Sequence, residues 1–436
     1  MCHPSAAPPY DGVRQHYPSD RLELAVARRE TLQSGPGSRA LVVDIVRSSG
    51  PISRVELVEA TGLTQPAISN IVRGLITDGV IRETGATVAT GAKPRVLLAI
   101  NSSVAYGVGL HVGMDAVTCA VTNTRGGIVG RQLAGLEGGT SREPPISQLA
   151  ELCHRTIDML GLPAGSIAGV TVAGRGPADV QHGLLPSLQA SQPGSPASLR
   201  TELEQRLSLP VLVAANADAA AVGEFWVRQV SRERTFGCLY LGTELSAGLV
   251  LDGALFRGAS SNAGQIGHVP MSPDGPPCPC GNRGCVNLYV TPAAVVNQAW
   301  GDSELVARMG LRPDETTART FDILARAAIL GDREARALLD VSAVGLADSA
   351  LTLVNLWDID TLVLAGPGFA VAGSLYVQEI RRRLAASAFA RSIHAVRVDL
   401  SNNPRDSVAI GGAALVLQGS VAPGHGPLVA QSVHSR

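Results

Sequence analysis

Three cysteines and one histidine in the middle of the chain have a spacing typical of a metal site. They are His268, Cys278, Cys280 and Cys285, separated by nine, one and four residues. Thiolates and imidazoles are ligands that Zn²⁺ prefers, and three sulfurs with one nitrogen complete a tetrahedral shell. We therefore predict a structural zinc site and not a catalytic one, because four protein ligands leave no position for a substrate. The alternative is a group of buried cysteines without a metal.

A second set of residues, nearer the N-terminus, has the side chains with which proteins read DNA. Glutamine and asparagine can make two hydrogen bonds to adenine, and arginine can bond guanine or a phosphate. The predicted base-reading residues are Thr64, Gln65, Ser69, Asn70 and Arg73. The predicted contacts to phosphate or the minor groove are made by Ser53, Arg54, Lys93 and Arg95. The alternative is a helical bundle whose polar face is only solvated.

The elements around these residues predict a winged helix-turn-helix. Apolar residues fall on one helical face over Arg39–Arg47. Ser53 and Glu56 have the spacing of a capping box at the start of a second helix, and Thr64 caps a third. The wing is predicted from two extended segments, Val80–Glu83 and Arg95–Ile100. In this motif the third helix enters the major groove.

After Asn101 the hydrophobic pattern changes to the alternation of strands. Three consecutive strands are predicted at Val104–Val112, Asp115–Asn123 and Ile128–Leu133. Strands and helices then alternate to the end, which indicates an α/β domain. The predicted organisation is a flexible arm at 1–37, a DNA-binding domain at 38–101, an α/β domain at 102–420 and a disordered tail at 421–436.

Composition narrows the class of protein. Of 436 residues, 45% are hydrophobic, which fits globular domains. We find no apolar run of about eighteen residues and no secretion signal, so we expect a cytoplasmic protein with no membrane partner. Aromatic residues are 3% of the chain, too few for a protein that stacks single-stranded bases. The odd number of cysteines, seven, does not indicate a disulfide framework.

Taken together, the motifs resemble those of the ROK family of repressors and sugar kinases. The N-terminal part has the family's winged-helix pattern, beginning at Gly50-Pro51-Ile52-Ser53-Arg54. The Gly267-His268 pair followed by Cys278, Cys280 and Cys285 resembles the family's hallmark. The resemblance covers nearly the whole chain. It implies an actin-like, two-lobed sugar-kinase fold in which the zinc loop braces a sugar pocket.

The two phosphate loops depart from the family pattern. Where family kinases have Asp-x-Gly-Gly-Thr, this chain has His111-Val112-Gly113-Met114-Asp115. The second loop, Gly-Thr-Gly-x-Gly-x-Gly in the kinases, is Gly242–Gly248 here and contains Glu244. Glycines let backbone N–H groups approach a phosphate, whereas a glutamate repels it.

The base and the sugar contacts also differ. The family's catalytic aspartate corresponds to Asn216, and an amide cannot accept a proton from a sugar hydroxyl. Asp218 lies two residues on, and its acting as a substitute base is the alternative. The residues that the resemblance assigns to ligand binding are Gly176, Asn216, Asp218, Gln265, His268 and Asn287.

The prediction is a DNA-binding transcriptional regulator, a repressor of carbohydrate-related genes that senses a sugar or sugar derivative through a catalytically inactive ROK domain. We expect double-stranded DNA with a palindromic operator as partner, Zn²⁺ as structural cofactor, and a homodimer or homotetramer. The choice of repressor over activator rests on the resemblance alone. Two alternatives remain: an active ROK sugar kinase with a DNA-binding appendage, and an effector-independent DNA-binding dimer.

Overall fold

The computed structural model describes residues 36–88, 94–113, 115–136, 144–189 and 198–421. The first helix begins at Pro36, inside the arm predicted at 1–37, and the last helix ends at Val421. The rest of that arm, the rest of the predicted tail and Lys93 lie outside the described residues.

The N-terminal part of the chain has three helices and a small antiparallel sheet, as predicted. The elements are α1 (Pro36–Ser49), β1 (Ile52–Ser53), α2 (Arg54–Thr61), α3 (Gln65–Thr77), β2 (Ile81–Val88) and β3 (Arg95–Ile100). The sheet order is β1-β3-β2, and the pairing of β1 with β3 is not evident from the sequence. The capping box of Ser53 and Glu56 is present, and the Thr64 side chain caps α3.

A compact apolar core holds α3 in place. Ile68, Val72 and Leu75 of α3 are fully buried against α1 and α2, while Ile71 is only partly buried. This 3.6-residue periodicity leaves the opposite face of α3 to the solvent. The fold of this part is therefore a winged helix-turn-helix with α3 as the candidate recognition helix.

The rest of the chain forms two lobes, each built on a five-stranded sheet. The first lobe has sheet order β6-β5-β4-β7-β8. Its elements are β4 (Tyr106–Val112), β5 (Ala116–Asn123), β6 (Ile128–Gly135), α4 (Ile146–Asp158), β7 (Ile167–Gly174), α5 (Pro186–Gln189), α6 (Leu199–Leu207) and β8 (Val211–Ala215). Strands β4, β5 and β6 are antiparallel neighbours, as the three predicted strands require, and β4, β7 and β8 are parallel.

The second lobe repeats this arrangement with sheet order β11-β10-β9-β12-β13. Its strands are β9 (Phe236–Leu241), β10 (Leu245–Leu251), β11 (Ala254–Leu255), β12 (Thr361–Ala365) and β13 (Arg397–Leu400). Its helices are α8 (Asn287–Val290), α9 (Pro292–Trp300), α10 (Ser303–Met309), α11 (Thr317–Ile329), α12 (Arg333–Trp357) and α13 (Gly373–Ser387). The repeated pattern of antiparallel hairpins followed by parallel strands is that of the predicted actin-like fold.

Two helices cross between the lobes: α7 (Asn216–Val227) and α14 (Ser407–Val421). They meet at Gly223 and Gly411, where a Cβ on Gly411 would lie 1.7 Å from the Ala219 carbonyl oxygen. Glycine is therefore required at this crossing, because any larger residue would push the helices apart. The crossing fixes α7 between the sheets of the two lobes.

The longest helix, α12, is the one described helix that is long and apolar enough to cross a membrane, judged by length and composition. More than half of its apolar window is buried inside the protein, where Leu339, Leu346 and Leu353 belong to the core of the second lobe. This burial is what a core helix shows.

Candidate functional site: metal cluster, front cleft and DNA-facing helix

The predicted metal ligands come together in space. The ligand atoms of His268, Cys278, Cys280 and Cys285 all lie within 4.8 Å of one another. Cys278 Sγ is 3.7 Å from His268 Nδ1, and Cys280 Sγ is 3.7 Å from Cys285 Sγ. Zinc–sulfur bonds of about 2.3 Å put two tetrahedral sulfurs about 3.8 Å apart. The cluster thus has the size and the donor set of a tetrahedral site that could hold a metal ion.

Glycines allow the chain to turn tightly enough to build this cluster. Gly281 and Gly284 have φ angles of 95° and 59°, in the left-handed region. A Cβ on Gly284 would lie 1.9 Å from the Ser272 carbonyl oxygen. The Cys278 N–H donates to the Asn282 carbonyl at 2.7 Å and closes the knuckle. The spacing of the cysteines is therefore matched to local backbone geometry.

A short 3₁₀ turn, Ile266–His268, connects this cluster to a cleft between the lobes. Asn287 Oδ1 accepts a hydrogen bond from the Leu245 backbone N–H at 2.8 Å, so this side chain ties α8 to the start of β10. Asn287 does not line the cleft described below, and its ligand contact stays a prediction. His268 Nδ1 likewise faces the cluster.

We name the front cleft by the residues that line it: Gly174, Arg175, Gly176, Ala215, Asn216, Tyr240, Thr243, Glu244, Ser246 and Gln265. Three predicted ligand residues, Gly176, Asn216 and Gln265, meet here. Asn216 Oδ1 is buried and has no hydrogen-bond partner within the described ranges. A buried amide oxygen left in this state costs free energy that a ligand hydroxyl could recover. The carboxylate of Glu244 lines the same space.

Next to the front cleft lies a cavity of about 260 Å³ between the two degraded phosphate loops. Its lining includes His111 and Gly113 of the first loop, Gly242 and Thr243 of the second, and Asn216. His111 is fully buried, and burial lowers its pKa to about 4, against a smaller opposing effect of Asp406. Its Nε2 lies 3.4 Å from the Tyr240 hydroxyl. At neutral pH the first loop therefore presents a neutral imidazole.

Asp218 is on the other side of α7, and its predicted place beside Asn216 is corrected. Residues two apart in a helix differ by about 200° in direction, so the two side chains leave α7 on opposite faces. Asp218 is 3% exposed and lines a separate cavity together with Arg257. Burial raises the pKa of this carboxyl to about 7, and the Arg257 charge opposes the rise. Asp218 does not line the front cleft.

The candidate DNA-facing residues on α3 form one surface. Thr64, Gln65, Asn70 and Arg73 are exposed and Ser69 is partly buried. Arg73 donates to Asn70 Oδ1 at 3.1 Å, which orients both side chains on the same face. These residues carry a positive charge and several hydrogen-bonding groups toward the solvent.

The residues predicted to contact phosphate or the minor groove differ in how exposed they are. Ser53 is 2% exposed and its hydroxyl is bonded to Glu56, so its predicted phosphate contact is corrected: the capping role buries it. Arg54 is partly buried and pairs with Glu83 at 2.9 Å. Arg95 is partly buried at the start of β3. The wing residue Lys93 lies outside the described part of the chain.

With this geometry in hand, comparison with known proteins decides the family. The ROK family profile matches residues 107–419. The chain belongs to the ROK family. The xylose repressor of Caldicellulosiruptor bescii is 24% identical over 392 residues, covering 87% of this chain and 95% of that protein. The DNA-binding transcriptional dual regulator NagC of Escherichia coli K12 is 24% identical over 385 residues, covering 86% and 91%.

Solved structures of the same family show the fold. A ROK family transcriptional regulator, described as a homologue of the E. coli MLC protein, superposes with a TM-score of 0.66 at 20% identity, covering 89% of this chain and 96% of that one. A ROK family glucokinase from Streptomyces griseus, in complex with glucose and AMPPNP, gives 0.59 at 23% identity, covering 72% and 99%. The predicted fold, a helix-turn-helix joined to an actin-like ROK domain, is confirmed.

One buried residue that no sequence motif indicates joins the DNA-binding domain to the lobes. Arg47 of α1 bonds Asp44 at 2.7 Å and donates to the carbonyls of Phe225 and Trp226 at 3.4 Å and of Val230 at 2.9 Å. Its guanidinium lies 5.0 Å from the ring centroids of Phe225 and Trp226. Its partners are about 180 positions away along the chain, so local spacing carries no signal for it. The only hint is an arginine at the end of an otherwise apolar helix face.

Proposed function

We propose that this chain is a DNA-binding transcriptional repressor of carbohydrate-related genes, controlled by a sugar or a sugar derivative that binds in the front cleft. The observation that carries the proposal is the joining of an exposed polar recognition helix to a sugar-kinase fold whose own ligand-facing amide, Asn216, lacks a partner among the described residues. The names of the relatives, a xylose repressor and NagC, support it. The protein acts in the cytoplasm, where its DNA is.

The ROK domain of this chain has no kinase activity in this proposal. Asn216 stands at the base position, and an amide cannot take up the proton that phosphoryl transfer to a sugar releases. The carboxylate of Glu244 in the second phosphate loop repels ATP. Asp218 points away from the front cleft, which argues against its use as a substitute base.

Zinc is the metal that the cluster holds, in a structural role. His268 Nδ1 and the sulfurs of Cys278, Cys280 and Cys285 are its four ligands. When bound, the ion fixes the segment that carries Gln265, three residues before His268, as one wall of the front cleft. Zinc therefore contributes to ligand binding through the shape of the cleft and not through chemistry.

DNA is bound by two copies of the chain, in a homodimer or homotetramer, on a palindromic operator whose half-sites lie about 34 Å apart or a multiple of this. Gln65, Asn70 and Arg73 read bases from the exposed face of α3. A candidate surface for the contact between copies lies around Leu356, Phe389 and Ile393, which are 70%, 87% and 84% exposed. Large exposed apolar side chains so close together are typical of protein interfaces.

Helix α7 is the element that connects ligand binding to DNA binding. It begins at Asn216 in the front cleft and ends beside Phe225 and Trp226, which Arg47 of the DNA-binding domain contacts. A ligand that favours one arrangement of the lobes shifts α7 and with it the recognition helix. Such a shift occurs only if the ligand binds the two arrangements with different affinity.

The test is fluorescence anisotropy of the full-length, zinc-loaded protein on DNA from upstream of its own gene, with a panel of sugars, amino sugars and sugar phosphates. We expect specific binding that one compound weakens. Arg73→Ala should weaken operator binding by about 1–3 kcal/mol. The matched control is Arg155→Ala, an exposed arginine on α4 far from the DNA face. Binding of DNA without sequence preference, measured at two salt concentrations, contradicts the proposal.

Two outcomes would favour the alternatives. Turnover of ATP with any hexose in a coupled assay would indicate an active sugar kinase with a DNA-binding appendage. Specific DNA binding that no compound alters, together with no ligand-dependent shift in melting temperature, would indicate an effector-independent dimer.

A further inference from the structure

A second cavity lies behind α7, on the side opposite the front cleft. We name it the rear cavity. Its volume is about 570 Å³, within the range of small-molecule sites. Both lobes contribute to its wall: α6, β8 and α14 from one side and the β11 segment from the other. The lining residues used below are Arg200, Leu212, Asp218, Arg257, Leu415 and Val416.

The rear cavity contains two ionisable side chains that the protein itself leaves without hydrogen bonds. Asp218 is 3% exposed, and no described residue donates a hydrogen bond to its carboxyl. Arg257 is partly buried, and its guanidinium has no hydrogen-bonded acceptor in the described ranges. Each residue shifts the pKa of the other electrostatically, but the two do not form an ion pair. Buried polar and ionisable groups without hydrogen-bond partners are costly, so this arrangement indicates a place for a ligand.

The other arginine in the lining is already used. Both terminal nitrogens of Arg200 donate to the carbonyls of Val180 and Gln181 and only its Nε lacks a partner among the described residues, so its guanidinium holds the loop after β7. Arg257 is therefore the cation left to meet a ligand. Most of the remaining wall is aliphatic, including Leu212, Leu415 and Val416. A ligand with many hydroxyl groups would leave them unpaired against this wall.

We propose that the rear cavity binds a small carboxylic acid with an apolar body, such as an aromatic acid. The carboxylate pairs with the Arg257 guanidinium, whose two parallel N–H groups match it. The Asp218 carboxyl, in its protonated form, donates a hydrogen bond to the same carboxylate. The apolar body lies against the aliphatic wall. Because the cavity joins both lobes, its ligand affects the same lobe arrangement as a ligand in the front cleft.

Benzoate is the probe, and benzamide, of the same shape but without charge, is its control. Titration calorimetry of the full-length protein should give saturable benzoate binding and at least tenfold weaker benzamide binding. Arg257→Gln should weaken benzoate binding about tenfold or more. Arg175→Gln, which removes an exposed arginine from the front cleft, should leave it unchanged. Since the Arg257 side chain makes no hydrogen bond in the described part of the chain, its substitution should not unfold the protein.

Asp218→Asn tests the role of Asp218 separately from that of Arg257. Asparagine can still donate to the carboxylate, so we expect this variant to bind benzoate at about pH 8 as well as wild type does at about pH 6, where Asp218 is protonated. No saturable benzoate binding, or binding that Arg257→Gln leaves intact, overturns the proposal. Binding that Asn216→Ala abolishes would assign benzoate to the front cleft and overturn it too. None of these outcomes bears on sugar-controlled DNA binding, which the anisotropy experiment tests separately.

Discussion

The two ends of α7 differ in how completely their polar groups are bonded. At the C-terminal end, Glu224 pairs with Arg228 at 2.8 Å and accepts a hydrogen bond from Ser401, and Trp226 Nε1 donates to the Thr124 carbonyl at 2.9 Å. At the N-terminal end, neither Asn216 Oδ1 nor the Asp218 carboxyl has a hydrogen-bond partner among the described residues. We call the C-terminal end of α7 the satisfied end, because the protein bonds its polar groups, and the N-terminal end the open end, where we propose that ligands bind.

The C-terminal end of α7 therefore contributes to stability, whereas the N-terminal end is where we expect a response to ligand. Breaking contacts at the satisfied end leaves buried groups without partners and costs stability. At the open end the same groups gain hydrogen bonds only when a ligand is present. A helix that is fixed at one end and responsive at the other can transmit a change in the lobes to the DNA-binding domain.

The largest effect is expected from the metal cluster, which holds one wall of the open end. Cys285→Ser removes a fully buried ligand atom, and the variant should lose its zinc and about 5 kcal/mol of stability. For a domain as large as the one at 102–420 that corresponds to a fall in Tm of roughly 5–10 °C. Zinc content by mass spectrometry and Tm by calorimetry check the prediction. Cys238→Ala, at a buried cysteine outside the cluster, should keep its zinc. Full zinc content in Cys285→Ser would contradict it.

The next largest effect is expected at the satisfied end. Arg47→Met removes the charge that compensates Asp44, whose side chain is 11% exposed, and should cost about 3–5 kcal/mol. Urea unfolding measures the loss. Asp44→Asn in the same chain should recover part of it, because the uncompensated charge is then gone. Arg155→Met on the exposed face of α4 should cost less than about 0.5 kcal/mol. A loss equally small in Arg47→Met would mean that the two domains are not held together here.

Two buried groups near the open end should affect stability in opposite directions with pH. The pKa of His111 is 6.5 in the unfolded chain and about 4 in the folded protein, so His111 makes the fold less stable as pH falls through this window. The pKa of Asp218 is 3.8 in the unfolded chain and about 7 in the folded protein, so Asp218 makes the fold less stable as pH rises from 3.8 to 7. The effect amounts to at most about 3 kcal/mol for His111 and about 4 kcal/mol for Asp218.

Single substitutions should reveal the two opposing slopes. His111→Phe lacks the His111 contribution, which stabilises the wild type more as pH rises. The stability of this variant relative to wild type should therefore fall as pH rises from about 4.5 to about 6.5. Asp218→Asn lacks the Asp218 contribution, which destabilises the wild type as pH rises, so the stability of this variant relative to wild type should rise over the same range. Urea midpoints at several pH values measure both. Parallel curves for wild type and both variants would show that burial shifts the pKa of neither His111 nor Asp218.

Much of this could be predicted from the sequence, for reasons visible in particular residues. The metal ligands Cys278, Cys280 and Cys285 lie within eight positions, so their spacing alone determines how they meet. The capping box of Ser53 and Glu56 is equally local. The family resemblance assigns Asn216 and Asp218 to one ligand site, but helix geometry turns them to opposite faces.

Contacts between distant segments were beyond sequence reasoning. Arg47 contacts carbonyls about 180 positions away, and Arg257 lines the same cavity as Asp218 from the other lobe. Which of the polar residues near the cleft keeps an unbonded atom depends on every neighbour in three dimensions. The bond from the Leu245 backbone to Asn287, a residue 42 positions away, is another contact of this kind.

The smallest effect on stability is expected where the open end meets its ligand. Asn216→Ala removes the amide that lacks a partner in the described chain, so stability should change by less than about 1 kcal/mol while affinity for the sugar effector falls about tenfold. Anisotropy gives the shift in the effector concentration that releases DNA, and DNA affinity without effector should be unchanged. The matched control is Ser246→Ala, at another polar residue of the front cleft, which should lower effector affinity less than Asn216→Ala does. If Asn216→Ala destabilised the protein by as much as Arg47→Met, the N-terminal end of α7 would be a bonded end as well, and the difference between the two ends would disappear.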